Sequence, residues 1–75
     1  MTKEELMQRA IELSIKSVRN GGGPFGAVIA REGEIIAEGS NGVTIYNDPT
    51  AHAEVTAIRK ACEKLGTFEL KGCEI

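Results

Sequence analysis

Asn47-Asp48-Pro49-Thr50-Ala51-His52-Ala53-Glu54 is the stretch on which the reading of this chain turns. Asp48 ahead of Pro49 predicts a helix start there: aspartate is a preferred N-cap, and proline in the first turn forfeits no hydrogen bond. Val55, Ile58, Ala61, Cys62 and Leu65 then share one stripe of a helix that ends at Gly66. His52, a metal-ligand residue type, and Glu54, an acid, fall at its beginning. Ile58, Ala61 and Leu65 stand four, seven and eleven residues after Glu54, so the helical period puts the carboxylate in the apolar stripe, where an unpaired charge is costly. The competing reading is a first-turn glutamate that faces solvent and complements the helix dipole. His52 lies about 200° from Glu54 around an ideal helix. The two side chains can therefore meet only beyond the helix tip, where backbone N–H groups are free.

Upstream, Thr2-Lys3-Glu4-Glu5 forms a capping box and opens a helix running to about Arg19. Its wheel gathers Leu6, Met7, Ala10, Ile11, Leu13, Ser14, Ile15 and Val18 on one broad side, with Gln8, Arg9, Glu12, Lys16 and Arg19 opposite. Asn20-Gly21-Gly22-Gly23-Pro24 ends it. Three glycines suggest a phosphate loop, but that motif requires Lys-Ser/Thr and a helix directly after it. Here Pro24 and a strand follow. Phe25–Ala30 and Glu34–Glu38 read as two strands joined through Arg31-Glu32-Gly33. The first is apolar on both faces, as in a strand covered on both sides, and the second alternates less cleanly, as near an edge. Val43 to Asn47 reads as a loop. Leu70 to Ile75 reads as the opening of a third strand, which leaves the helix–strand–strand–helix–strand pattern unfinished.

Seventy-five residues make one small domain at most, and a core of that size supplies only about 3–5 kcal/mol without metal, disulfide or partner. A net charge of −2 argues against a binder of long nucleic acids. No secretory signal or membrane-length apolar run is present, and two cysteines without framework spacing fit a reducing cytoplasm. Neither cysteine is a natural partner for His52. Ten residues of helix put Cys62 about 15 Å along the axis, against zinc–ligand bonds of about 2.0–2.3 Å. Cys73 stands alone on a strand, and both read as packing residues.

With these motifs in view, the chain resembles the cytidine-deaminase-like superfamily of zinc nucleobase deaminases, and within it the bacterial guanine deaminases. The resemblance spans the whole chain and rests on Gly22-Gly23-Pro24-Phe25-Gly26-Ala27-Val28-Ile29, Asn47–Glu54 and Val55–Cys62. It implies a three-layer α-β-α deaminase fold, present only as its N-terminal α-β-β-α-β portion. It implies His52 as the first zinc ligand and Glu54 as the non-ligand general acid/base of the H-x-E half of the signature. Asn41 matches a base-contacting asparagine whose amide both donates and accepts, and Phe25 a residue that stacks on the base. The N–H groups of Ala53 and Glu54 match donors to the substrate carbonyl. The bland alternatives are a turn residue for Asn41 and a core aromatic for Phe25.

The other half of the signature, Pro-Cys-x-x-Cys, is absent from these residues. The expectation is therefore hydrolytic, zinc-dependent deamination of a purine base by the complete protein, guanine to xanthine and ammonia, in a cytoplasmic homodimer. The 75-residue chain alone is expected to bind zinc weakly and to be inactive. Two alternatives stand beside this. A tRNA adenosine deaminase shares His-Ala-Glu and the Asp-Pro-Thr before it. A non-catalytic fragment would pair its open strand and apolar helix with another chain.

Overall fold

A computed structural model describes all residues, 1–75. Six elements follow in order: α1 (Lys3–Arg19), β1 (Gly26–Arg31), β2 (Glu34–Ser40), α2 (Val43–Tyr46), α3 (Ala53–Leu65) and β3 (Cys73–Glu74). The capping box is formed as read. The Glu5 N–H donates to Thr2 Oγ1 at 3.1 Å, and the Thr2 N–H to Glu5 Oε1 at 2.9 Å. The antiparallel sheet has the order β2-β1-β3. β1 is thus central, and Val28, Ile29 and Ala30 are all buried in it. β2 lies at an edge, as its pattern suggested. It also carries a bulge, since Ile29 pairs with Ala37 but Ala30 pairs with Ile35. Ile36 is the extra residue, and its neighbour Ala37 joins the same core cluster, which is why the alternation is broken. Glu32 and Gly33 make the hairpin turn with φ of 53° and 77°, the left-handed pair of a type I′ turn.

The sheet separates the two long helices into layers. On one face α1 crosses β1 at Gly26, where an added Cβ would run into the Ala10 carbonyl oxygen. On the other, α3 packs Ala57 and Ala61 against Ile29 and Ala37. The face on which α1 settles differs from the one its wheel suggests. Arg9, on the polar side of the wheel, turns toward the sheet and makes a two-pronged bond to Glu38 of β2, with Nη2 to Oε1 at 3.0 Å. Met7, Ile11, Ile15 and Val18 face outward and are about half exposed. Gly26 admits Ala10, Leu13 and Ser14 at close range, Arg9 lies toward the sheet with them, and no property of the helix sequence alone reveals this rotation.

β1 and β2 shift by only one or two residues from the sequence reading, and three other readings change more. Val43–Tyr46 is a single helical turn, not a loop. The third strand is only Cys73–Glu74, because Lys71-Gly72 forms a turn with Gly72 at φ 73° and the Cys73 N–H donates to the Leu70 carbonyl. The α3 helix begins at Ala53, with His52 rather than Asp48 as its N-cap. Asp48 accepts instead from Thr50, and the Ala51 carbonyl is taken by the Gly42 N–H at 2.9 Å. That cross-link points the Ala51 carbonyl toward the end of β2, so helical bonding starts only after it.

Candidate active site

The C-terminal end of β2 and the N-terminal end of α3 meet at one place, and two contacts make them meet. Gly39, buried in β2, lies directly beneath the first turn of α3, where an added Cβ would be 2.5 Å from the Ala53 carbonyl oxygen and 2.6 Å from the Ala57 nitrogen. The Gly42–Ala51 bond then fastens the chain after Asn41 to the residue before His52. His52 has extended backbone (φ −69°, ψ 152°), and its side chain does not cap the helix. The first-turn N–H groups of Ala53 and Glu54 therefore have no capping side chain over them. Ala51 and Ala53 are buried, whereas His52 and Glu54, which alternate with them, are exposed.

Glu54 is thus not in the buried stripe. The face of α3 that packs is Ala53, Ala57 and Ala61, with Ile58 outward at the helix surface. The helical period alone favours the larger apolar residues, but the close approach at Gly39 admits only alanines. Glu54 and His52 therefore both look out from the helix tip.

Asn41 is half-buried and held on three sides. Its N–H donates to the Phe25 carbonyl at 3.2 Å, its carbonyl accepts from the Gly23 N–H at 3.4 Å and from Ser17 Oγ at 3.4 Å, and its side-chain Oδ1 accepts from the Val43 N–H at 3.1 Å. The last bond is the turn role foreseen for it, and it fixes which way the amide points: the oxygen is used and the Nδ2 donors are left. The glycines before it serve packing and not phosphate binding. A Cβ on Gly23 would meet the Asn41 side chain at 2.9 Å, and one on Gly22 would meet the Asn41 carbonyl oxygen at 2.6 Å. Phe25 is 59% exposed, so it is not a core aromatic. Its backbone, through Asn41, belongs to the same corner.

Sequence reasoning missed the scaffold behind these residues. The Thr50 N–H and hydroxyl both donate to Asp48 Oδ1, at 2.9 and 2.7 Å. Arg59, on α3, approaches both, with Nη2 3.4 Å from Thr50 Oγ1 and Nη1 3.9 Å from Asp48 Oδ2. The Thr50 hydrogen bonds, with lesser help from Arg59, hold the Asp48 carboxyl below its ordinary value of 3.8. Asp-Pro-Thr carries the signal of an Asx turn, but nothing in the sequence points from it to Arg59.

The donor set does not complete a metal centre. Zinc in a catalytic site takes three protein ligands and keeps one open position, yet no group of three His, Cys, Asp or Glu side chains comes together in residues 1–75. Cys62 and Cys73 are both free and half-buried, and Cys73 packs against the core cluster of Ile29, Ala37, Ala57 and Ala61.

Comparison with known proteins places the chain among the deaminases. The family model for the cytidine and deoxycytidylate deaminase zinc-binding region matches residues 1–75. The chain is 60% identical to guanine deaminase of Bacillus subtilis over 97% of its own length, which is 47% of that protein. It is 44% identical to a tRNA-specific adenosine deaminase of Aquifex aeolicus over its whole length, 50% of that protein. The crystal structure of the Bacillus subtilis enzyme superposes with a TM-score of 0.94 at 59% identity, covering 97% of this chain and 47% of that one. A guanine deaminase from Nitrosomonas europaea superposes with a TM-score of 0.89 at 32% identity, covering 96% of this chain and 43% of that one. The chain spans about half the length of the curated relatives it matches.

Proposed function

The chain belongs to the cytidine and deoxycytidylate deaminase family, and from that premise we propose that it forms the first half of a purine deaminase acting on guanine. In the reaction a water oxygen bonds to the amino-bearing ring carbon, the carbon–nitrogen bond breaks, and xanthine and ammonia leave. The observation that carries the proposal is the Gly42–Ala51 hydrogen bond. It sets Asn41 beside a helix tip that presents His52, Glu54 and uncapped N–H groups together.

Each part has a role suited to its chemistry. Glu54 carries one proton from the attacking water to the ring nitrogen and a second, from the hydroxyl so formed on the ring carbon, to the amine, which then leaves as ammonia. The N–H groups of Ala53 and Glu54 donate to the substrate carbonyl, as a helix N-terminus does for any electron-rich oxygen. Asn41 donates through Nδ2 to an acceptor on the purine edge, because its oxygen is committed to Val43. Phe25 stacks on the ring. His52 supplies one zinc ligand, and the remaining ligands come from outside residues 1–75. By this reading the 75-residue chain alone is inactive and holds zinc weakly.

Guanine is preferred over adenosine in tRNA because identity to the guanine deaminase exceeds that to the tRNA enzyme, 60% against 44%. The net charge of −2 also gives long RNA little to attract it. The test is to incubate the full-length protein with guanine and, separately, with tRNA, and to measure xanthine, ammonia and inosine. Xanthine with stoichiometric ammonia is expected. Inosine in tRNA without xanthine would overturn the substrate, and neither product would overturn the enzyme.

A further inference from the structure

We infer that Arg59 is a positioning residue that fixes the His52 turn against the helix carrying Glu54. Arg59 stands seven residues after His52, two turns down the same line of α3. Helical side chains lean toward the N-terminus, so its guanidinium reaches back over the first turn to the preceding loop. There it spans two acceptors, Thr50 Oγ1 at 3.4 Å and Asp48 Oδ2 at 3.9 Å. Those two are already joined by both Thr50 donors to Asp48 Oδ1. The backbone carries the restraint onward: the Ala51 N–H donates to the Asp48 carbonyl at 3.1 Å, and the His52 N–H to the Thr50 carbonyl at 2.8 Å. A planar fork on α3 thus closes onto the loop whose next residues are Ala51 and His52.

The fork acts locally. Arg59 is 62% exposed and Asp48 39% exposed, and solvent-exposed charge pairs add little to global stability. Its effect is to keep His52 and Glu54 in one fixed relation, which has catalytic meaning only under the deaminase reading above. The substitution Arg59→Lys keeps the charge, but an ammonium is a single point that cannot span both acceptors.

Amide hydrogen exchange of the full chain tests this without substrate or metal. Arg59→Gln should speed exchange at the Gly42 and His52 amides about two- to fivefold, the range a weak exposed contact supplies. The core amides of Ile29 and Ala61 should keep their wild-type rates. Thr50→Val, which removes the hydroxyl linking fork and loop, should do the same, and Arg59→Lys should fall between. Residues 1–75 hold one histidine; the Cε1–H resonance that His52→Ala removes identifies it, and that resonance should shift or broaden in Arg59→Gln. Unchanged Gly42 and His52 rates in both Arg59→Gln and Thr50→Val would overturn the inference. So would acceleration of the core amides by the same factor, which marks a merely structural tie. A failed exchange test leaves the deamination assay standing, and an inactive full-length protein leaves the exchange result standing.

Discussion

Gly39→Ala is the perturbation that most directly probes how the site is built. Gly39 lies buried in β2, and an added Cβ would sit 2.5 Å from the Ala53 carbonyl oxygen, 2.6 Å from the Ala57 nitrogen and 3.1 Å from the Ala57 Cα. All three atoms are backbone of α3, so no side-chain rotation relieves the clash. The helix must retreat by roughly 1 Å to restore ordinary van der Waals separation. Overpacking of that kind costs about 1–3 kcal/mol. The lost glycine freedom in the unfolded chain returns about 0.4–1 kcal/mol, because alanine is compatible with extended backbone. A net loss of about 1–2 kcal/mol is expected, and each kcal/mol corresponds to about 4–8 °C in a domain of this size. Thermal and urea unfolding followed by circular dichroism would measure it. In the full-length protein the same retreat draws His52 and Glu54 away from Asn41, and misplacement by about 1 Å can cost on the order of 100-fold in rate. A Gly39→Ala protein that melts at or above the wild-type temperature would refute the close approach of α3 to β2, and with it the reason its packed face is all alanine.

Three further outcomes are expected. Glu54→Gln in the full-length protein should lower kcat by about 10²–10⁴, the usual contribution of a general acid/base, while the melting temperature stays put because Glu54 is exposed and unpaired; retained deamination would remove Glu54 from the mechanism. Asn41→Asp preserves the oxygen that accepts from Val43 but replaces the outward donor. KM for guanine should then rise about tenfold, the loss of roughly one hydrogen bond, with little change in unfolding midpoint, whereas an unaltered KM would make Asn41 a turn residue only. Glu38, bonded by Arg9, and Glu5, bonded by the Thr2 backbone, are each held below their ordinary value of 4.5. Folded carboxyls with lowered values release protons that the unfolded chain binds, so their stabilisation is complete above about pH 4.5 and is lost as pH falls through the folded values. Unfolding midpoints measured from about pH 6 to about pH 3 should decline, and Glu38→Gln should flatten part of that slope; an unchanged slope would show that the Arg9–Glu38 pair does not form in solution.

Much of the architecture is legible in local chemistry. Thr2 and Glu5 announce a helix start because capping involves only neighbours within one turn. Glu32-Gly33 announces a hairpin because its two left-handed residues match strand twist. The doubly apolar run Val28-Ile29-Ala30 announces a central strand, since both its faces must be covered. The His-x-Glu spacing carries the family resemblance, but helical geometry does not fix how the two residues stand, because His52 is the extended N-cap and only Glu54 lies within α3. Where the chain is read wrongly, the deciding contact is remote in sequence. Asp48 makes a plausible cap, but the Gly42–Ala51 bond from the end of β2 delays the helix to Ala53.

The residues alone therefore establish the order of the two long helices and the three strands, the family to which they belong, and the pairing of a ligand-type histidine with an acid. Which side of each helix is buried lies beyond them. The bare backbone at Gly26 admits Ala10 and Ser14 of α1 at close range, and that at Gly39 admits Ala53 and Ala57 of α3 and leaves Glu54 outside. Helical period ranks faces by apolarity, whereas packing ranks them by what the opposite surface has room for. That difference moves Glu54 from the core to the exposed first turn of α3, a place set by contacts between distant parts of the chain.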